Sequence, residues 1–261
     1  ASAIADRLKI ELAIDGANKT RSINPEAHDQ YLLGRKFLAE RRGDLDDAIA
    51  AFDRAIAIEP AYSAAYSGQA FAIQLRPLWN MAPANNAVLD ETRMIADKAL
   101  QLDPDNAEAY MVRGMAAFYG WDPVAAAADL NRALALAPGN IDILNMEGDF
   151  RNFVGDLAAA ERAKRKAMAL DPMSFVHPLN LADVLLSQGR NEESIVAAEQ
   201  AIGLGANEYG YDRLTVGYLS SGQIERARMA YEKACELNPD ESNVCGTNEA
   251  LVLAAEGKDE L

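Results

Sequence analysis

A proline returns every 34 residues through the middle of this chain, at Pro104, Pro138 and Pro172. Each closes a phrase of the same kind: KALQLDP, RALALAP and KAMALDP. The phrase also ends in Pro60 (RAIAIEP) and Pro239 (KACELNP). A fixed period of about 20–50 residues marks stacked supersecondary units rather than one closed globule. Each unit then relies on its neighbours to cover its apolar face.

The stretch from Asp105 to Pro138 shows the content of one unit. Asn106-Ala107-Glu108 opens a helix with a capping residue and an early acid. Tyr110, Gly114 and Ala117 follow at helical spacing, and Gly120-Trp121-Asp122-Pro123 breaks the helix. Ala126, Leu130 and Ala133 mark one face of a second helix, which Pro138-Gly139 ends. The unit is a helical hairpin whose small residues let its two helices approach closely.

The neighbouring units keep the pattern with substitutions. Leu144, Gly148, Ala160, Ala167 and Pro172 recur, with Lys164 where a large apolar residue is expected and Gly155-Asp156-Leu157 as the turn. Leu181, Ala182, Leu185, Gly189 and Ala201 come next, with Ser194 in place of Ala and Ala206 in place of Pro. The sixth unit has Tyr211, Leu214, Tyr218, Gly222, Ala227, Tyr231, Ala234 and Pro239. The first has Gly34, Phe37, Gly43, Ala48, Phe52, Ala55 and Pro60, with two residues added in its first helix or turn. The second is 44 residues long, and its extra ten run from Arg76 to Asn85 around Trp79 and Met81. A seventh unit stops after a first helix, from Glu241 to Ala255.

These positions resemble the tetratricopeptide repeat. The resemblance implies an all-α fold: an α-solenoid, a right-handed superhelix of helix-turn-helix hairpins with six full repeats and a partial seventh. The repeats are placed at 26–60, 61–104, 105–138, 139–172, 173–206 and 207–239, with the partial one at 240–261. Residues 1–25 precede the array as an amphipathic helix (Ser2 to Ile14) and a polar linker. That stretch, together with Asn24 to Arg35, is similar to the segment that leads into the repeats of bacterial proteins carrying an upstream adenylate/guanylate cyclase or winged-helix regulator domain. That likeness implies the regulatory part of a larger bacterial signalling protein.

In the family, first helices line the concave face of the superhelix. The inward-facing offsets then select a partner-binding groove of Tyr31, Arg35, Phe71, Met111, Met115, Tyr119, Asn145, Asp149, Asn152, Phe153, Asp183 and Asp212. Aromatic and Met side chains suit adaptable peptide binding. The Lys–Asn carboxylate clamp of one family subset is absent from these positions. Trp79 and Met81 in the second unit's inserted loop form a separate candidate, either as an exposed anchor or as a plug for the hairpin end.

Composition narrows the partner. The chain has a formal net charge of −15 and is 50% hydrophobic. So acidic a chain repels phosphate backbones and anionic lipid, so neither nucleic acid nor membrane is expected as a partner. A protein or peptide with basic and hydrophobic residues is. Self-association through an open C-terminal end is the alternative. No apolar run approaches the ~18 residues of a membrane span, and no signal peptide opens the sequence. It begins with Ala rather than Met, so the original N-terminus is read as removed. The terminal KDEL is read as coincidence rather than as an address for the endoplasmic reticulum.

No catalytic, cofactor or metal site is expected. His28 and His177 are far apart, and His177 is expected at a helix cap or on the surface. No metal-ligand spacing or phosphate-cradling glycine loop occurs. Cys235 and Cys245, ten residues apart across a helix corner, are expected as buried thiols in a reducing, cytoplasmic setting, with a bond between them as the alternative. The expected role is a non-catalytic protein-interaction scaffold, with an enzyme as a remote alternative.

Overall fold

A computed structural model describes residues 23–40, 45–79, 85–237 and 242–255. These residues form thirteen α-helices and no strand. They pair as α1 (Pro25–Glu40) with α2 (Leu45–Ile58), α3 (Ser63–Trp79) with α4 (Asn86–Leu102), and α5 (Ala107–Tyr119) with α6 (Pro123–Leu136). Then come α7 (Ile141–Phe153), α8 (Leu157–Leu170), α9 (Val176–Ser187) with α10 (Asn191–Gly203), α11 (Asn207–Ser220) with α12 (Ile224–Leu237), and the single α13 (Ser242–Ala255). The chain divides into two compact units, Ala1–Met146 and Glu147–Leu261.

Local chemistry places the helix ends. Asn85, Asn106, Asp122 and Asp156 are N-caps, each accepting a hydrogen bond from the amide three residues on. Pro123 takes the first helical position of α6, where its missing N–H costs nothing. Asp46 and Asp47 in α2, and Glu192 and Glu193 in α10, put carboxylates in the first turn, where the helix dipole favours them. Pro60, Pro104, Pro138 and Pro172 each stand two residues beyond a helix end.

In the first unit the hairpins pack through small residues. The Phe52 ring of α2 lies against two glycines at once. A methyl group on Gly34 of α1 would come within 2.7 Å of that ring, and one on Gly68 of α3 within 2.6 Å. Phe52 is buried, with Leu38, Leu45, Ala48 and Ala72 around it. α1 therefore packs on both α2 and α3, and α3 on both α4 and α5.

The second unit repeats the scheme with one change of chemistry. Lys164 of α8 is fully buried, and its methylene stem covers Gly148 of α7, where a Cβ would meet Lys164 Cε at 2.6 Å. The stem fills the place expected for a large apolar side chain, and the ammonium at its far end, itself buried, meets Asp149. Further on, Ile195, Ala198, Leu214 and Ala230 bring α10, α11 and α12 together.

The irregular positions have local causes. Ser194 is buried, and its hydroxyl donates to the Ala182 carbonyl at 2.9 Å, so it packs like the alanine it replaces. At Ala206 the backbone N–H donates to the Ala201 carbonyl at 2.9 Å, a bond that proline cannot make. The added residues of the first unit lie at least partly in α1, which has 16 residues where α5 has 13.

Three expectations need correction. The second unit's insertion does not begin as a loop: α3 continues helically through Arg76 and Pro77 to Trp79. Trp79 is described only by its helical backbone, and Met81 lies outside the described residues. His177 is buried rather than at the surface, with Nε2 3.8 Å from Asp171 Oδ2. Cys235 is disulfide-bonded rather than a free thiol, and the sequence holds one other cysteine, Cys245. The expected helix at Ser2 to Ile14 and the terminal KDEL lie outside the described residues.

Candidate partner-binding site

The predicted groove residues fall into both units, and each unit stands by itself. In the first, most of the predicted aromatic and Met side chains are packing groups. Met111 and Met115 are only 1% and 5% exposed. Tyr31 is half-buried, with its ring 5.9 Å from Phe52, 5.2 Å from Tyr62 and stacked on His28 at 6.0 Å. Phe71 packs against the Phe52 cluster. Tyr119 is half-buried and tilted on Phe118 at 5.1 Å, and Asn145 is half-buried. In a stacked array a first helix is covered on more than one side, so apolar side chains on a predicted concave face sink into the core.

What the first unit does assemble is a polar ladder. Arg35 of α1 pairs with Glu108 of α5, and its other terminal nitrogen is 3.9 Å from Asp142 of α7. α3 packs on both α1 and α5 and contributes Ser67 to this ladder. The Ser67 hydroxyl donates to the second Glu108 oxygen at 2.7 Å. Asn106 adds amide bonds to Ser63 at 2.8 Å and Ser67 at 3.3 Å. The Glu108 carboxylate raises the Arg35 pKa, so Arg35 remains a cation throughout the ordinary pH range. Glu108 and Asp142 are 34 residues apart and so share one repeat position. That spacing was the signal available for Glu108, which the sequence reading took as a helix-opening acid only.

In the second unit two of the predicted carboxylates, Asp149 and Asp183, are half-exposed and the third, Asp212, is largely buried, each beside a cation. Asp149 is 54% exposed and accepts from the buried Lys164 ammonium at 2.5 Å. Asp183 is 41% exposed and lies 2.5 Å from Arg213 Nε. Arg213 also pairs with Asp212, whose other oxygen accepts from Asn248 Nδ2 of α13 at 2.5 Å. This chain of contacts ties α9, α11 and α13. Burial raises the Asp183 pKa, with Arg213 opposing and the Asp149 charge adding to the rise. Asn152 is half-buried, and half of Phe153 is exposed at the end of α7. The surface thus offers half-exposed carboxylates 34 residues apart and one accessible aromatic ring. That set can receive a cationic side chain with an apolar neighbour.

Among the described residues no group of three or more His, Cys, Asp and Glu is placed to hold a metal ion. No described helix is long and apolar enough to cross a membrane.

Family models of the tetratricopeptide repeat match residues 95–141 and 218–241. The fold is a tetratricopeptide α-solenoid. Solved structures of low identity share it. A monomeric variant of IFIT1, solved with Gppp-AAAA, aligns at a TM-score of 0.75 and 15% identity, covering 96% of this chain and 60% of that one. A chain of the APC/C hetero-tetramer Cut9–Hcn1 aligns at 0.69 and 18%, covering 95% of this chain and 46% of that one. In sequence, the CTR9 homolog of Arabidopsis thaliana is 25% identical over 231 residues. That match covers 84% of this chain, and the chain spans a fifth of the relative's length. Tetratricopeptide arrays generally serve as protein–protein interaction scaffolds rather than as enzymes.

Proposed function

We propose that this chain is a non-catalytic scaffold whose second unit receives a basic, partly apolar segment of a partner protein. The observation that carries the proposal is the pair of half-exposed carboxylates, Asp149 and Asp183, held on first helices by Lys164 and Arg213. A partner ammonium or guanidinium at this surface gains charge-assisted hydrogen bonds from oxygens that are already oriented. The Phe153 ring supplies adjoining apolar area. A protein partner agrees with the aligned chain of the Cut9–Hcn1 complex, which was solved as part of a hetero-tetramer. IFIT1 shows that the same fold can hold Gppp-AAAA, but a net charge of −15 disfavours phosphate here.

The test uses a Lys- and Leu-containing probe peptide, with the wild type compared against an Asp149→Lys, Asp183→Lys double variant. Binding to the wild type and a loss of about tenfold or more in the variant are expected. Equal affinity would remove the acidic surface from the proposal.

A second reading is self-association through α13, where Leu251 is about half exposed. Light scattering across a concentration series tests it, and a strict monomer would end it. The proposal extends to a regulatory role within a larger bacterial signalling protein, on the likeness of residues 1–35 to the lead-in of such proteins' repeats. The Cys235 disulfide favours an oxidising compartment over the reducing cytoplasm expected from the sequence.

A further inference from the structure

We infer that the partner segment meets the Asp149/Asp183 surface through lysine and not through arginine, an assignment that rests on that surface being the binding site. Each of the two half-exposed carboxylates has one oxygen engaged from within the protein. Asp149 Oδ1 accepts from the Lys164 ammonium at 2.5 Å, and Asp183 Oδ1 lies 2.5 Å from Arg213 Nε. Among the described residues no hydrogen bond reaches Oδ2 of either group. The surface therefore presents one open oxygen per carboxylate, on two separate helices, α7 and α9.

Two other places in this chain show what an arginine takes from a carboxylate. Arg113 Nε and Nη2 donate to Asp129 Oδ2 and Oδ1, both at 2.7 Å. Arg190 Nε and Nη2 donate to Glu193 Oε1 at 2.7 Å and Oε2 at 2.5 Å. In each case the planar guanidinium closes a fork of two bonds on both oxygens of one group. That fork is the source of arginine's advantage over lysine at a carboxylate. Asp149 and Asp183 cannot receive it, because Oδ1 is engaged in both. Nor is Oδ1 easily vacated. Lys164 is fully buried, so its ammonium has no water to turn to if Asp149 leaves it. Arg213 is anchored a second time on Asp212, which Asn248 holds in turn.

A lysine asks for less. Its ammonium is a compact charge with three rotatable donors, and a single oxygen suffices for one good bond. Asp149 already receives an ammonium in this way from the inner side. A second ammonium, arriving from solvent, would take Oδ2, and Asp183 can receive one likewise. An arginine at either place would make one bond, spread its charge over a larger group and leave the rest of its fork to water. The usual preference of a carboxylate for arginine is reversed at this surface.

Twin probe peptides test the assignment: the Lys- and Leu-containing probe, and the same sequence with arginine at every lysine. Fluorescence anisotropy gives the affinity of each for the wild type, the Asp149→Lys, Asp183→Lys variant and Lys164→Met. The Lys probe should bind the wild type about threefold or more tightly than its Arg twin. The preference should vanish in the double variant. In Lys164→Met both Asp149 oxygens are open, so the Arg twin should gain on the Lys probe. An Arg twin that binds the wild type as tightly as the Lys probe would overturn the assignment. So would a preference that persists in the double variant or stays the same in Lys164→Met. If Lys164→Met does not fold, the wild type and the double variant decide alone. Failure of the surface itself reads differently: neither twin would bind the wild type, or both would bind it no better than the double variant, and the assignment would fall with it.

Discussion

Single side chains in this array do two jobs that residue types alone do not announce. Lys164 breaks the repeat pattern in sequence, yet its stem packs on Gly148 and its ammonium meets Asp149. The two roles separate by substitution. Lys164→Met keeps the stem and leaves Asp149 half-exposed to water, so stability should stay within about 1 kcal/mol of wild type. Lys164→Ala opens a cavity over Gly148 and should cost about 2–3 kcal/mol in urea unfolding. Equal losses in both variants would mean that the ion pair, not the stem, carries the stability. Gln74 poses the reverse case: it is fully buried, and both amide atoms lack a hydrogen-bond partner. Gln74→Met should stabilise by about 1 kcal/mol, since an unmet polar group is removed at similar volume. Loss of stability on that change would contradict the unsatisfied amide. Met111 and Met115 show where reading by residue type fails. Their helical offsets were legible, but periodicity does not say how many neighbours press on a helix, and both ended in the core.

At the scale of elements, the recurring proline marked four helix ends with one spacing, and the caps at Asn106, Asp122 and Asp156 were readable from residue type. Trp121 was readable as part of a break, and its 34-residue spacing from Gly155, with Asp following both, marked the shared turn position, but the residue letters do not announce a left-handed backbone there. The Phe52 contact was half-legible. Its aromatic position was expected, but not that one ring fills the gap beside both Gly34 and Gly68. That double contact makes Gly34→Ala costly. The ring cannot retreat from the new methyl without meeting Gly68, so the variant should lose about 1–3 kcal/mol despite alanine's better helix propensity. A thermal melt at or above wild type would show that α1 yields instead. In the second unit, Glu161 of α8 accepts from Gln188 at 3.0 Å, from Arg190 at 2.8 Å and from Arg165 at 2.9 Å. The Gln188 bond, together with those from the two arginines, lowers its pKa from 4.5 to about 2. A carboxyl that binds its proton less readily when folded stabilises the fold above pH 4.5, and that contribution is lost as pH falls toward about 2. Glu161→Gln should therefore flatten the loss of stability across this acid range. An unchanged acid limb would remove Glu161 from the connection between α8 and the α9–α10 turn.

The whole molecule carries 40 acidic and 25 basic residues. Many of the cations are committed internally: Arg35 to Glu108, Arg113 to Asp97 and Asp129, Lys164 to Asp149, Arg213 to Asp183 and Asp212. The surplus of negative charge therefore stands on a surface short of free cations, where it repels itself and attracts basic partners. Both effects are long-range, and both weaken when the Debye length shrinks to about 8 Å at physiological salt and about 3 Å at 1 M. They differ in sign. Screening relieves self-repulsion in the compact state, so added NaCl should raise the melting temperature of the free protein. The same screening should weaken capture of a basic probe peptide, mainly through a slower on-rate. Measuring both quantities over one salt series separates the contributions. A melting temperature that falls with salt would mean that the internal ion pairs outweigh the surplus. Peptide binding that ignores salt would mean that recognition is apolar and rests on surfaces such as Phe153 rather than on the carboxylates beside Lys164 and Arg213.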